Sequence, residues 1–103
     1  MSDYPKYVST ESSRAFIGDV NSQALFADGF DDAIIGFSAT SFCVVYDYSL
    51  CLDILVKRDS MDAHEAHEFM EFNVVSAYVG DFTPIFIHTI KGRKSTNDIH
   101  SRF

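Results

Sequence analysis

Three carboxylates fall within five positions in the run Ala27-Asp28-Gly29-Phe30-Asp31-Asp32-Ala33-Ile34-Ile35-Gly36-Phe37. Carboxylates clustered on a glycine-containing loop are the oxygen ligands that hard divalent cations such as Mg²⁺ or Ca²⁺ take. Asp28, Asp31 and Asp32 are thus the residues a metal would use, with Asp47 and Asp81 as further ligands beside an expected strand or turn. An ion held there would neutralise phosphate charge and activate water. The spacing departs from the D-x-[DN]-x-[DN]-G calcium loop. A capped turn with solvated charges explains the same residues without any ligand.

The second informative run is Glu71-Phe72-Asn73-Val74-Val75-Ser76-Ala77-Tyr78-Val79-Gly80. Helical spacing puts Asn73 on an apolar face with Ala66, Met70 and Ala77, where an unpaired amide costs about 1–3 kcal/mol. The simpler account has it bond the backbone of a neighbouring strand or loop. The functional account points it into a pocket beside the Asp28–Asp32 loop, with Tyr78 as a further binding residue. His64, His67, Glu68 and Glu71 form two i,i+4 pairs, 64 with 68 and 67 with 71. The string His64-Glu65-Ala66-His67 is one residue short of the H-E-x-x-H zinc motif, so a solvated face of His–Glu pairs is the expected reading. Nucleophile elbows, catalytic-cysteine signatures and phosphate-cradling glycine loops are absent from the sequence.

These residues need elements to hold them. Asp28-Gly29 is a turn signal, and Ala33–Phe37 and Phe42–Tyr46 are β-favouring runs joined by 38–41 as an antiparallel hairpin. Phe42–Tyr46 lacks alternation, as a strand covered on both faces does. Asp47 or Ser49 caps a helix whose stripe is Tyr48, Cys51, Leu52 and Leu55, ending at Lys57-Arg58. Ser60 is read as the cap of a second helix lined by Ala63, Ala66, Met70, Asn73 and Ala77, with Gly80 as its stop. Thr83–His88 is a last strand, with Pro84 in its first residues. The order predicts an α+β fold: a small three-stranded mixed or antiparallel sheet with two helices packed on one face. Bare sheet edges invite pairing between copies, so a homodimer is expected. Residues 1–22 read as an N-terminal arm with a short extended piece at 15–17, 23–90 as the single domain, and 91–103 as a basic flexible tail.

The chain has 103 residues, nearly half of them apolar, with ten Phe and five Tyr, enough for one core. Its formal charge of −7 is unevenly placed. Residues 1–90 hold fourteen acidic groups against four basic ones, whereas 91–103 hold four basic groups against one acidic. Such an acidic body repels phosphate and disfavours sequence-specific nucleic-acid binding. No apolar run approaches the ~18–20 residues that cross a bilayer, and no leader-like start is present, so an intracellular, membrane-free setting is expected. Cys43 and Cys51 suit that setting as small core residues rather than a disulfide.

The Asp28–Gly36 run with Val45-Tyr46-Asp47, followed by Glu71-Phe72-Asn73, Ala77–Asp81 and Thr83-Pro84-Ile85-Phe86, resembles a group of small uncharacterised proteins encoded by tailed bacteriophages. The resemblance spans roughly residues 26–88. That group has no established activity, so no catalytic residue carries over. It implies a phage accessory protein in the cytoplasm of an infected bacterium. The leading expectation is a non-enzymatic protein that binds a host or defence factor, steered by acidic charge and anchored by a surface loop bearing Phe26, Phe30 and Phe37. No cofactor is needed for that role. The alternatives are a divalent-metal-dependent phosphate-ester hydrolase or nucleotide-binding module using Asp28, Asp31, Asp32 and Asn73, and a virion or assembly component.

Overall fold

The unalternating apolar run becomes the middle of the sheet. In the computed structural model, which describes residues 10–90, β2 (Val44–Asp47) lies between β1 (Ile34–Phe37) and β3 (Ile85–Ile87). β1 pairs with it antiparallel and β3 parallel, so the sheet is mixed. Val44 and Tyr46 are fully buried on one face of this strand, and Val45 on the other face is half-buried. The expected hairpin through 38–41 forms: the Ser38 amide donates to the Cys43 carbonyl at 2.8 Å, and the Ser38 hydroxyl accepts from the amides of Thr40 and Ser41. A bulge interrupts β1, where Ile34 faces Tyr46 but Gly36 faces Val45, leaving Ile35 as the extra residue.

Parallel pairing of β2 with β3 requires a long crossover, and residues 48–84 supply it. It begins with α2 (Tyr48–Asp59), capped as expected by Asp47, whose carboxylate accepts from the Ser49 amide at 2.9 Å and from the Leu50 amide at 3.4 Å. Tyr48, Cys51 and Leu55 of the expected stripe are buried, and both cysteines are free thiols in the interior. Ser60 does not cap the next helix. It closes α2 in the left-handed conformation at φ 59°, and Asp62 caps α3 (Ala63–Phe69) instead. Asp62 and Glu65 form a reciprocal capping box, each side chain accepting from the other's amide at 2.8 and 3.0 Å.

Beyond Phe69 the helix widens into a π turn, Met70–Val75, and stops at Ser76 rather than at Gly80. A turn closed by i→i+5 bonds changes the rotation per residue, so the 3.6-residue count no longer predicts the inward face. Ala66 and Met70 are fully buried as expected, whereas Ala63, Asn73 and Ala77 are exposed. Gly80 lies in the loop before β3, its carbonyl accepting from the amide and hydroxyl of Thr83.

The N-terminal reading also changes. Thr10–Val20 is a helix, α1, not an arm with an extended piece at 15–17, and Ile17 joins the core with Phe30, Val44, Tyr46 and Leu55. Phe16, Ile17 and Val20 carry the i, i+1, i+4 pattern, masked in the sequence by the polar residues around them. The fold is therefore α+β with three helices and a mixed three-stranded sheet. Residues 1–9 and the basic segment 91–103 lie outside the described residues.

Tyr46 sits at the core's centre. Its ring stacks on Phe86 with centroids 5.1 Å apart, and its hydroxyl accepts from the Ala27 amide at 2.7 Å. Burial pushes its pKa from 10 up to about 12. Burial, aided by the hydrogen bond to Glu71, does the same to Tyr48, and burial raises the Cys51 thiol from 9 to about 12. A pKa raised by folding gives stability that is complete below the unfolded value and is lost as pH climbs toward the folded one. Unfolding free energy, measured by urea denaturation, will hold steady up to about pH 9 and then fall, by as much as ~1.4 kcal/mol per pH unit for each of the three groups. Tyr46→Phe will flatten that alkaline slope while costing about 1–3 kcal/mol at neutral pH, because the Ala27 amide loses its acceptor.

Candidate functional site

The two runs singled out in the sequence converge. The loop from Phe26 to Phe30 and the segment from Phe69 to Val79 form facing walls of a groove of about 280 Å³, with Pro84 and Phe86 at its base. Phe26, Ala27, Val74, Ala77 and Val79 make it apolar; Asp28 and Asn73 are its polar members. Tyr46 ties the loop wall to the base, through its bond to Ala27 and its stack on Phe86.

The groove exists because the π turn brings Asn73 and Ala77 outward. Asn73 is therefore not the buried amide expected from a regular helix; it belongs to the groove wall. Phe72 and Tyr78, on either side of it in sequence, are 75% and 76% exposed, and Val79 is 59% exposed. Phe72 stands on the π turn and Tyr78 in the loop that follows it, and large rings left in water are the residues that binding surfaces use.

The aspartates do not act together. Arg14, hidden in what reads as an arm, bridges two of them: its Nε donates to Asp31 Oδ2 at 2.7 Å and its Nη2 to Asp28 Oδ1 at 3.2 Å, while its guanidinium lies 4.5 Å from the centre of the Phe26 ring. Asp31 Oδ1 is buried with no hydrogen-bond partner, so Asp31 depends on Arg14 for its compensation. Asp32 faces a separate depression with Asp53 and Lys57 of α2. Phe30 is not a surface anchor. It is 5% exposed and belongs to the core. Arg58 packs over it at 5.7 Å and donates to the Gly29 carbonyl at 2.6 Å. Gly29 has φ +91°, and a Cβ there would stand 3.0 Å from Arg58 Nη1, so the loop requires glycine at this point.

A second polar cluster lies where α2, α3 and the end of β3 meet. Tyr48 donates to Glu71 Oε2 at 2.8 Å, and His67 Nδ1 is 3.0 Å from the same hydroxyl. With the phenol proton given to Glu71, its oxygen accepts from His67 Nδ1–H. The His88 ring packs on Tyr48, centroids 4.3 Å apart. Of the expected i,i+4 pairs, His64 meets Glu68 at 3.3 Å, while His67 and Glu71 each turn to Tyr48. Among the described residues no group of three or more His, Cys, Asp or Glu could hold a metal ion, and no helix is long and apolar enough to cross a membrane.

Arg14 was the functional neighbour that sequence reasoning missed; its one sequence signal is the excess of carboxylates awaiting a cation. Arg14→Ala will lower unfolding free energy by about 1–3 kcal/mol in urea denaturation, because it strands the half-buried Asp31. Asp28→Asn, at a carboxylate 96% exposed, will change it by less than about 0.5 kcal/mol. Phe30→Ala will cost roughly 3–5 kcal/mol, a core loss rather than a binding effect. No protein family, no curated protein and no solved structure matches this chain.

Proposed function

We propose that this chain is a non-enzymatic binding protein that holds a protein partner at the groove between the Phe26–Phe30 loop and the π turn. The observation that carries this reading is an apolar groove whose flanking rings, Phe72 and Tyr78, are three-quarters exposed. Aromatic residues of this kind are the usual anchors of interfaces, giving large contact area at low entropic cost. Acidic charge around them would speed encounter with a basic partner and make the encounter salt-sensitive. The resemblance to phage-encoded proteins suggests a host or defence factor as that partner, reached in the cytoplasm of the infected cell.

Metal-assisted phosphate chemistry draws less support from the geometry. Two of its three carboxylates share Arg14 and the third faces away. A virion or assembly role would use the same exposed rings and differs in predicting a large oligomer.

The test compares wild type with Phe72→Ser/Tyr78→Ser in affinity capture from lysate of a bacterial host. Both side chains are exposed, so the double variant will melt within about 2 °C of wild type. A protein held by wild type, released as salt rises and absent from the variant is the expected result. Capture that is indifferent to both rings overturns the reading.

A further inference from the structure

The groove's polar groups specify its occupant further, on the reading that it is a protein-binding surface. At about 280 Å³ it lies at the lower edge of small-molecule sites and has room for one or two side chains. Its wall carries the Asn73 amide, which no hydrogen bond engages among the described residues. A side-chain amide offers an acceptor oxygen beside two N–H donors, the complement of a peptide group's own N–H and C=O. Exposed on the groove wall, this amide keeps both kinds of group free for such a pairing.

Charge fixes the rest. Asp28 is the single ionisable residue of the groove lining. Its carboxylate is 96% exposed and holds Arg14 by the longer contact, 3.2 Å, while Asp31 holds Arg14 at 2.7 Å. Asp28 can therefore turn to another cation without unseating Arg14 from the loop. Residues 10–90 carry thirteen Asp or Glu against three Arg or Lys, so the field around the groove favours cations and repels acidic peptides and phosphates.

We propose that the groove binds a cationic peptide segment of a partner protein, in which an aromatic or branched aliphatic side chain enters the apolar cavity beside Phe69 and Phe86. The Asn73 amide pairs with that segment's backbone, and Asp28 pairs with an adjacent Lys or Arg. Main-chain pairing supplies affinity and the side-chain pocket supplies choice, as in other peptide grooves.

The experiment uses the full chain, labelled with ¹⁵N, titrated with three blocked pentapeptides: Lys-Lys-Phe-Lys-Lys, Glu-Glu-Phe-Glu-Glu and Lys-Lys-Ser-Lys-Lys. The first will move the backbone signals of Ala77 and Val79 and the side-chain NH₂ signals of Asn73, with submillimolar affinity at about 20 mM salt. The other two will bind at least ~10-fold more weakly, and so will the first peptide to Asp28→Asn or Asn73→Ala, or in about 500 mM salt. Equal binding of the acidic and basic aromatic peptides overturns the cationic occupant while leaving the groove as a binding surface. Groove signals unmoved by all three overturn the peptide site, whatever the Phe72→Ser/Tyr78→Ser capture shows. Loss of capture in that variant would then place the partner on the exposed rings alone.

Discussion

The burial of Tyr46 is the constraint on which the remaining structure depends. It stands on the central strand, completely enclosed, with a polar atom that cannot be left without a partner. The Ala27 amide meets that need, and in doing so draws the Phe26–Phe30 loop down onto the sheet. On the other side the ring fixes Phe86, its register partner on β3. One side chain thus touches two groove-lining residues about sixty positions apart in sequence, and the Phe69–Val79 segment completes the groove. The burial of Phe30 and the contacts of Arg14 and Arg58 hold the same loop from its other side chains.

What could be read from the chain follows from which physical rules act locally. The hairpin, the Asp47 cap and the buried positions of α2 each rest on neighbours within a few residues, and each is present, while the central strand runs from Val44 to Asp47 and leaves Phe42 exposed. The nearness of Asp28 to Asn73 was legible as one of two alternatives, because both runs put polar groups where apolar ones would have sufficed. The failures have a different origin. Phe30 looked like a loop residue because Asp28-Gly29 precedes it and Asp31-Asp32 follow, yet its ring is one that the core needs. α1 was hidden since only three of its residues are large and apolar, and its contribution is a tertiary contact through Ile17. The Asp62–Glu65 capping box was present in the sequence, but Ser60 competed for the same role. The π turn has no local signature that we recognise here.

Electrostatics explains how the carboxylates of the 28–32 loop are held apart from one another. Arg14 and Arg58, from α1 and α2, reach the same short loop from opposite directions. Each stacks on a phenylalanine of that loop and donates to an oxygen beside it. Planar guanidinium groups suit this double task in a way that ammonium groups do not. The carboxylates are thereby dispersed: one is held closely, one loosely and one on a different face. A cluster in sequence has become a scaffold in space, with Asp28 left as its outward charge.

The π turn has a consequence for how this surface could change. A turn closed by i→i+5 bonds holds about one residue more than an α turn, so removing one residue from 70–75 would return this stretch to α geometry. The groove wall is therefore governed by the count of residues as much as by their identity. A deletion of a single codon would carry Asn73, Ala77 and the neighbouring rings to a new azimuth without altering any of their side chains. Substitutions remove individual contacts of this surface, whereas a change in length resets several of them together.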